Sequence, residues 1–60
     1  MIYTINVTLN DGRSAVLESE DCENRAEAMH FFRHYVLAKG PDGKPVTINK
    51  MDYRTLKAKL

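Results

Sequence analysis

The sequence is poor in cysteine, with Cys22 as its single example. One thiol cannot form an internal disulfide, and it cannot build a zinc site held by several cysteines. A chain of 60 residues buries only about 60% of the surface that it exposes when unfolded, so its core must be small. We expect a single domain spanning residues 1–60. The lone thiol fits a reducing, cytoplasmic location better than secretion.

Long apolar runs are also missing. No stretch approaches the roughly 18 apolar residues that a membrane-spanning helix needs. The N-terminal stretch MIYTINVTLNDGR alternates polar and apolar residues, which is unlike a secretory signal peptide. With 43% hydrophobic and 28% charged residues, the composition is typical of a folded globular protein, so we expect no membrane contact.

Signatures of catalysis and of cofactor binding are absent from the sequence as well. GPDGKPVT lacks both the spacing between glycines and the hydroxyl residue after lysine that a phosphate-binding loop requires. His30 and His34 have a spacing suited to a shared metal, but Phe31 stands where the HExxH motif places its glutamate. Acidic neighbours disfavour the thiolate of Cys22. We therefore expect no enzyme activity, no cofactor and no metal.

Charge is nearly balanced overall but unevenly distributed. The net charge is +1, yet residues 1–38 hold three basic and six acidic side chains, and residues 39–60 hold six basic and two acidic ones. Such asymmetry indicates interaction with nucleic acid, with a membrane surface or with an acidic protein. The basic end of the chain is therefore a candidate binding segment.

The first part of the sequence predicts a β-hairpin. YTINVTL alternates apolar and polar residues, which is the period of a strand with one buried face. A less regular strand follows, and a loop of three residues, Asn10–Gly12, would place the positive φ of a bulge on its glycine. This register pairs Ile5 with Leu17, whereas a two-residue loop would set Ile5 opposite Glu18. We favour the first, because it keeps the large apolar residues on one face.

One helix is predicted between Asn24 and Gly40. Asn24 and Glu27 form a capping box, and Gly40 followed by proline is a stop signal. Residues at helical spacing form an apolar stripe that we expect to face the sheet, namely Ala28, Met29, Phe32, Tyr35 and Val36. Phe31 and Leu37 lie off this stripe, so we expect the simple two-layer packing to leave them uncovered.

A third strand is predicted at VTI, after the turn-rich segment GPDGKP. A right-handed crossover would set it beside the first strand, giving the sheet order 2-1-3 with the helix on one face. Residues 52–60 fit a short helix, which their Leu, Lys, Ala and Arg favour, or a strand with alternating apolar residues. The fold class is thus α+β, either ββαβ or ββαβα. The predicted core consists of Tyr3, Ile5, Val7, Leu9, Ala15, Leu17, Ala28, Met29, Phe32, Val36, Ile48 and Leu56.

The leading functional hypothesis is a non-enzymatic protein-binding module. Its size is that of the small accessory or inhibitory proteins that phages and mobile elements encode. Binding residues are expected among the uncovered apolar groups and in the basic segment, namely Phe31, Leu37, Lys50, Tyr53, Arg54, Lys57 and Lys59. The cations would steer the chain toward an acidic surface of a protein partner. The same apolar groups, or a free strand edge, would also support a homodimer.

The alternative hypothesis is non-specific nucleic-acid binding by the basic C-terminal segment. Its lysines would contact phosphates, with Tyr53 as a stacking group. The predicted solvent face of the sheet offers Thr4, Asn6 and Thr8 rather than the aromatic residues on which RNA-binding sheets stack bases. We therefore expect no base-specific recognition.

Overall fold

The computed structural model describes residues 1–40 and 42–59. In chain order the elements are β1 (Tyr3–Leu9), β2 (Ser14–Glu18), α1 (Arg25–Arg33), β3 (Leu37–Lys39) and β4 (Pro45–Ala58). The strands form one antiparallel sheet in the order β2-β1-β4-β3. The α+β class predicted from the sequence is confirmed. The predicted order 2-1-3 is not fully matched, because an additional strand, β3, forms at the end of the predicted helix segment and joins the sheet beside β4.

The β1–β2 hairpin has the predicted register. Ile5 lies opposite Leu17, and the Leu9 N–H donates to the Arg13 carbonyl at 2.7 Å to close the loop. Gly12 has a φ of 90°, a conformation that a residue with a Cβ adopts only with strain. The alternation of YTINVTL and this glycine together determine which face of the hairpin is buried.

Helix α1 begins as predicted but ends earlier. The Glu27 N–H donates to Asn24 Oδ1 at 2.9 Å, as expected of the N-cap. The helix stops at Arg33 and does not continue to Gly40, so that part of the prediction is wrong. Leu37–Lys39 pair with β4 instead, so the ladder to this strand takes the place of the predicted last turns of the helix. No helix among the described residues has the length and apolar character needed to cross a membrane.

Strand β4 replaces two elements that the sequence analysis treated separately. Its first part contains VTI and lies beside β1 as predicted, with Ile48 opposite Leu9. Its second part covers the segment for which a helix was favoured. That preference is wrong for Asp52–Ala58, because pairing with β1 outweighs helix propensity there. The structure does not describe Leu60, the last residue of this segment.

The core lies between the sheet and α1. The buried apolar residues are Tyr3, Ile5, Val7, Leu9, Cys22, Ala28, Phe32, Ala38 and Leu56. Several other predicted core residues are half-buried against them, namely Ala15, Leu17, Met29 and Ile48. Val36 is exposed, which contradicts its place in the predicted core, and Tyr35 is also exposed rather than facing the sheet. Both predictions failed because these residues follow the end of α1 and leave its apolar stripe.

Candidate functional site

The outer strand β2 turns backbone groups away from the sheet. In an antiparallel ladder, successive residues direct their N–H and C=O groups alternately to the two sides. The backbone hydrogen bond from the Leu9 N–H to the Arg13 carbonyl sets this alternation. Two and four residues later, Ala15 and Leu17 direct their N–H and C=O groups toward β1. Ser14, Val16 and Glu18 therefore direct their backbone donors and acceptors to the free edge.

The other outer strand, β3, has the same property. The Ile48 N–H donates to the Val36 carbonyl at 2.9 Å, so Val36 and Ala38 direct their backbone groups toward β4. Leu37 and Lys39 alternate with them and face outward. The sheet thus has one free edge at each end of its strand order.

These two edges border a single cleft of about 470 Å³, because the sheet curls around the core. Its lining residues are Ala15, Val16, Leu17, Glu18, Tyr35, Leu37, Ala38, Lys39 and Pro45. At one end of the cleft, the side chain of Arg13 lies against Gly40. The approach is so close that a Cβ built on Gly40 would lie 2.9 Å from Arg13 Nη2. We call this region the edge cleft.

Exposed apolar side chains concentrate at the edge cleft. The exposed fraction is 63% for Val16, 49% for Leu37 and 39% for Tyr35. These are three of the five large apolar residues that are exposed in the described part of the chain; the others are Met1 and Val36. Apolar groups gathered in one place, rather than scattered singly, mark a binding surface.

The charges at the edge cleft do not cancel. Glu18 Oε1 accepts a hydrogen bond from Lys59 Nζ at 3.0 Å, so this carboxylate already has a partner. Arg13 Nε likewise donates to Asp11 Oδ2 at 2.6 Å. Lys39 has no carboxylate oxygen within 4.0 Å among the described residues. The cleft therefore presents one uncompensated cation.

The predicted binding residues do not form one surface. Leu37 lines the edge cleft, while Lys50 and Lys57 lie opposite Thr8 and Thr4 on the sheet face away from α1. We call that surface the open face. Lys59 is held by an acid from the first half of the chain, so the charge asymmetry of the sequence is partly cancelled in the fold.

Two further predicted residues, Tyr53 and Arg54, lie in a bulge of β4. The Arg54 N–H donates to Asp52 Oδ1 at 3.2 Å, and the side-chain hydrogen bond from Arg54 lowers the pKa of Asp52. From α1, Arg25 donates to the carbonyls of Leu56 at 2.6 Å and Tyr53 at 3.2 Å. The bulge is thus held to the start of α1 by two hydrogen bonds.

Phe31 is part of α1, which packs on the side of the sheet opposite to Lys50 and Lys57. It is half-buried, and its ring meets those of Phe32 and Tyr35 at centroid distances of 5.5 and 5.2 Å. It borders an open hollow of about 450 Å³ with His30 and His34, whose rings are 5.0 Å apart. In the described residues, no three His, Cys, Asp or Glu side chains converge as ligands of a metal ion would.

Of the residues that line the edge cleft, Leu37 alone was among the predicted binding residues, and Val16, Tyr35 and Lys39 are the missed residues with exposed side chains on which the site depends. The sequence contained a local signal for the strand that contains Lys39, because Tyr, Val and Leu in succession ahead of a turn-forming segment favour a strand. Nothing local indicated that β2 and β3 would face one another, since this depends on the curl of the whole sheet.

No known protein family, curated protein or solved structure matches this chain.

Proposed function

We propose that the chain is a non-enzymatic module that binds another protein through the edge cleft. The observation that carries this proposal is the meeting of exposed apolar side chains with two free strand edges around one concave surface. A partner that fills the cleft would remove Val16, Tyr35 and Leu37 from water. Docking of so small a domain would act by covering part of the partner, as an accessory or inhibitory protein does.

Apolar and charged groups have different roles in this proposal. Apolar surface that leaves water contributes about 25 cal/mol per Å², and affinity usually depends on a few central side chains. Leu37 and Val16 are the anchors. The more distant cations, Arg54 and Lys57 among them, would steer the encounter with an acidic surface and so raise the association rate.

A matched pair of substitutions tests the proposal. Leu37→Asp places a charge in the edge cleft, whereas Val36→Asp makes the same kind of change at an exposed neighbour outside its lining. Proteins captured from an extract of the source organism by the wild-type chain would be identified, purified and titrated against both variants. We expect Leu37→Asp to weaken binding about tenfold or more and Val36→Asp to leave it nearly unchanged. A partner that responds equally to both changes, or no partner at all, would contradict the proposal.

The second candidate function, nucleic-acid binding, is supported by the open face. Lys50 and Lys57 have no carboxylate oxygen within 4.0 Å in the described part of the chain. They stand beside Thr8 and Thr4, which offer hydroxyl groups to phosphate oxygens. This arrangement suits contact with a phosphate backbone without base recognition.

An electrophoretic shift assay with unrelated DNA and RNA distinguishes the two candidates. Nucleic-acid binding predicts a shift whose affinity falls by about 0.7 to 0.9 log units per log unit of salt for each phosphate neutralised. The double variant Lys50→Glu, Lys57→Glu would abolish it, while Leu37→Asp would not. If protein binding is the function, we expect no shift with micromolar protein even at about 50 mM salt.

A further inference from the structure

The free edges of the cleft restrict what can fill it. On one side Ser14, Val16 and Glu18 present backbone donors and acceptors, and on the other side Leu37 and Lys39 do so. Outward-facing residues recur every second position, or about 6.7 Å along a strand. An extended chain presents its own N–H and C=O groups at this spacing, whereas a helix uses them internally.

The side chains around the cleft differ on its two faces. On the face toward α1 the cleft is lined by Ala15, Leu17 and Ala38, which are half-buried or buried and continue the core. On the open face Val16 and Leu37 are exposed, and Lys39 has no carboxylate partner among the described residues, while Glu18 is already paired. A strand placed here would direct alternate side chains to these two environments. Apolar residues suit the first. On the second, an acidic residue suits the position beside Lys39, and apolar residues suit the positions beside Val16 and Leu37.

A second copy of the folded chain fits this site less well. Pairing of β2 with β2 of another copy would engage only five residues from each chain and leave β3 and the cleft unfilled. Stable interfaces bury about 1,200 Å² or more in total, which so short a ladder does not reach. An edge strand that is already part of another sheet also cannot enter between two edges. A segment that is free to extend can do so.

We propose that the occupant of the edge cleft is an extended segment of another protein, with apolar residues at alternate positions and an acidic residue beside Lys39, bound by strand addition. This inference rests on the proposed function, since it specifies the partner of the same site. The segment would run antiparallel to one outer strand and parallel to the other, because β2 and β3 run in opposite directions. We expect the segment to run antiparallel to β2, because β2 is the longer outer strand and antiparallel pairing is slightly more stable per residue than parallel pairing.

The probe is a displayed library of linear peptides of about eight residues, a length that spans the cleft at the strand rise. We expect selection to enrich peptides that alternate apolar residues and carry Asp or Glu at one position of the other set. With a selected peptide bound, amide hydrogen exchange at Val16, Glu18, Leu37 and Lys39 should slow about tenfold or more, because these N–H groups gain partners. Exchange in the inner strands should change less.

A charge exchange tests the recognition of the acidic residue. Lys39→Glu should weaken binding of the selected peptide about tenfold, and a peptide with lysine in place of its acidic residue should restore binding to that variant. Lys44→Glu is the matched control, since Lys44 is exposed in the adjacent turn and does not line the cleft. Amide spectra that change only near the substituted residue would establish that each variant is folded.

Each result separates this inference from the proposed function. Peptides that bind without protecting the edge amides, or that bind as helices, would overturn strand addition. A protein partner that depends on Leu37 while no extended peptide binds would overturn it too, and the proposed function would survive. Edge amides protected without peptide, together with a dimer in sedimentation, would identify a second copy as the occupant. Failure of every peptide and every protein partner would overturn both.

Discussion

The inner strands and the outer strands of this sheet differ in what their side chains contact. Four residues of β1 are buried, namely Tyr3, Ile5, Val7 and Leu9, whereas β2 has no buried residue and β3 has only Ala38. Strand β1 is paired on both sides, while each outer strand is paired on one. The inner strands therefore provide most of the stability, and each outer strand keeps one unpaired backbone edge.

This division has an energetic basis. Segments with few buried apolar contacts and solvent-exposed hydrogen bonds open at a lower free energy than the rest of a protein. An outer strand that binds an added strand would gain the pairing that it lacks in the free chain. Substitutions in the inner strands should thus change the free energy of unfolding, and those in the outer strands should mainly change binding.

The largest effect is expected from Phe32→Ala, which removes a fully buried ring beneath the inner strands. Such a truncation typically destabilises by about 3 to 5 kcal/mol, which is a large part of the stability of a small domain. Phe31→Ala is the matched control, because Phe31 is only half-buried. Urea denaturation followed by circular dichroism measures both. Equal losses would show that burial beneath the sheet is not the dominant contribution.

A second pair compares the two kinds of strand directly. Val7→Thr buries a hydroxyl group at a position that is 2% exposed, and we expect a loss of about 1 to 3 kcal/mol. Val16→Thr makes the same change on an outer strand, where surface substitutions usually stay within about 0.5 kcal/mol. Thermal unfolding of the two variants gives the difference. A similar loss at both positions would contradict the division between inner and outer strands.

A smaller effect is expected when the bulge of β4 is released. Arg25→Ala removes the hydrogen bonds to the carbonyls of Tyr53 and Leu56, and we expect a loss of about 1 kcal/mol. Arg33→Ala, at the other end of α1, serves as control, because its guanidinium makes no ion pair within the described residues. Amide exchange should accelerate at the bulge in the first variant alone. Unaltered exchange there would mean that the bulge does not depend on the helix.

The smallest effect is expected on the free energy of unfolding when the pH is lowered. Hydrogen bonds from Arg54 and from Arg13 lower the pKa of Asp52 and of Asp11, respectively, below the usual 3.8. A carboxyl whose pKa is lower in the folded state stabilises the fold above its unfolded pKa, and this contribution is lost as the pH falls through the folded value. We therefore expect no change from these groups between about pH 7 and pH 5, and a loss only below 3.8.

Carbon-detected titration of the two carboxyl groups checks this assignment. Arg54→Ala should raise the pKa of Asp52 toward 3.8 and leave that of Asp11 in the hairpin loop unchanged. A shift of both groups would point to a change in overall structure instead of the loss of one hydrogen bond.

The parts of the fold that the sequence predicted are those with local signals. Strict alternation and Gly12 were sufficient for the hairpin register, and Asn24 with Glu27 for the start of α1. The end of α1 was missed because Tyr35 and Val36 continue its helical spacing. Their actual structure depends on the residues that follow, because Leu37 pairs with Thr47 and Lys39 with Pro45 of β4 across a turn.

The candidate site was predictable only in part, for the same reason. Leu37 was identified because no helix face could cover it, and it does line the cleft. Val16 and Lys39 belong to strands at opposite edges of the sheet, and their approach follows from the curl that β1 and β4 impose. No pattern in either strand alone contains that information.

The position of β1 between β2 and β4 also determines when the chain can fold during synthesis. Tyr3 pairs with Ala58, so one side of β1 has no neighbour until the last strand has left the ribosome. Until then the hairpin is the only part of the sheet around β1 that can form, and an isolated hairpin is marginally stable in water. The sheet can therefore form only after β4 has been synthesised. In the interval the apolar face of β1 is open to chaperones and to other nascent chains.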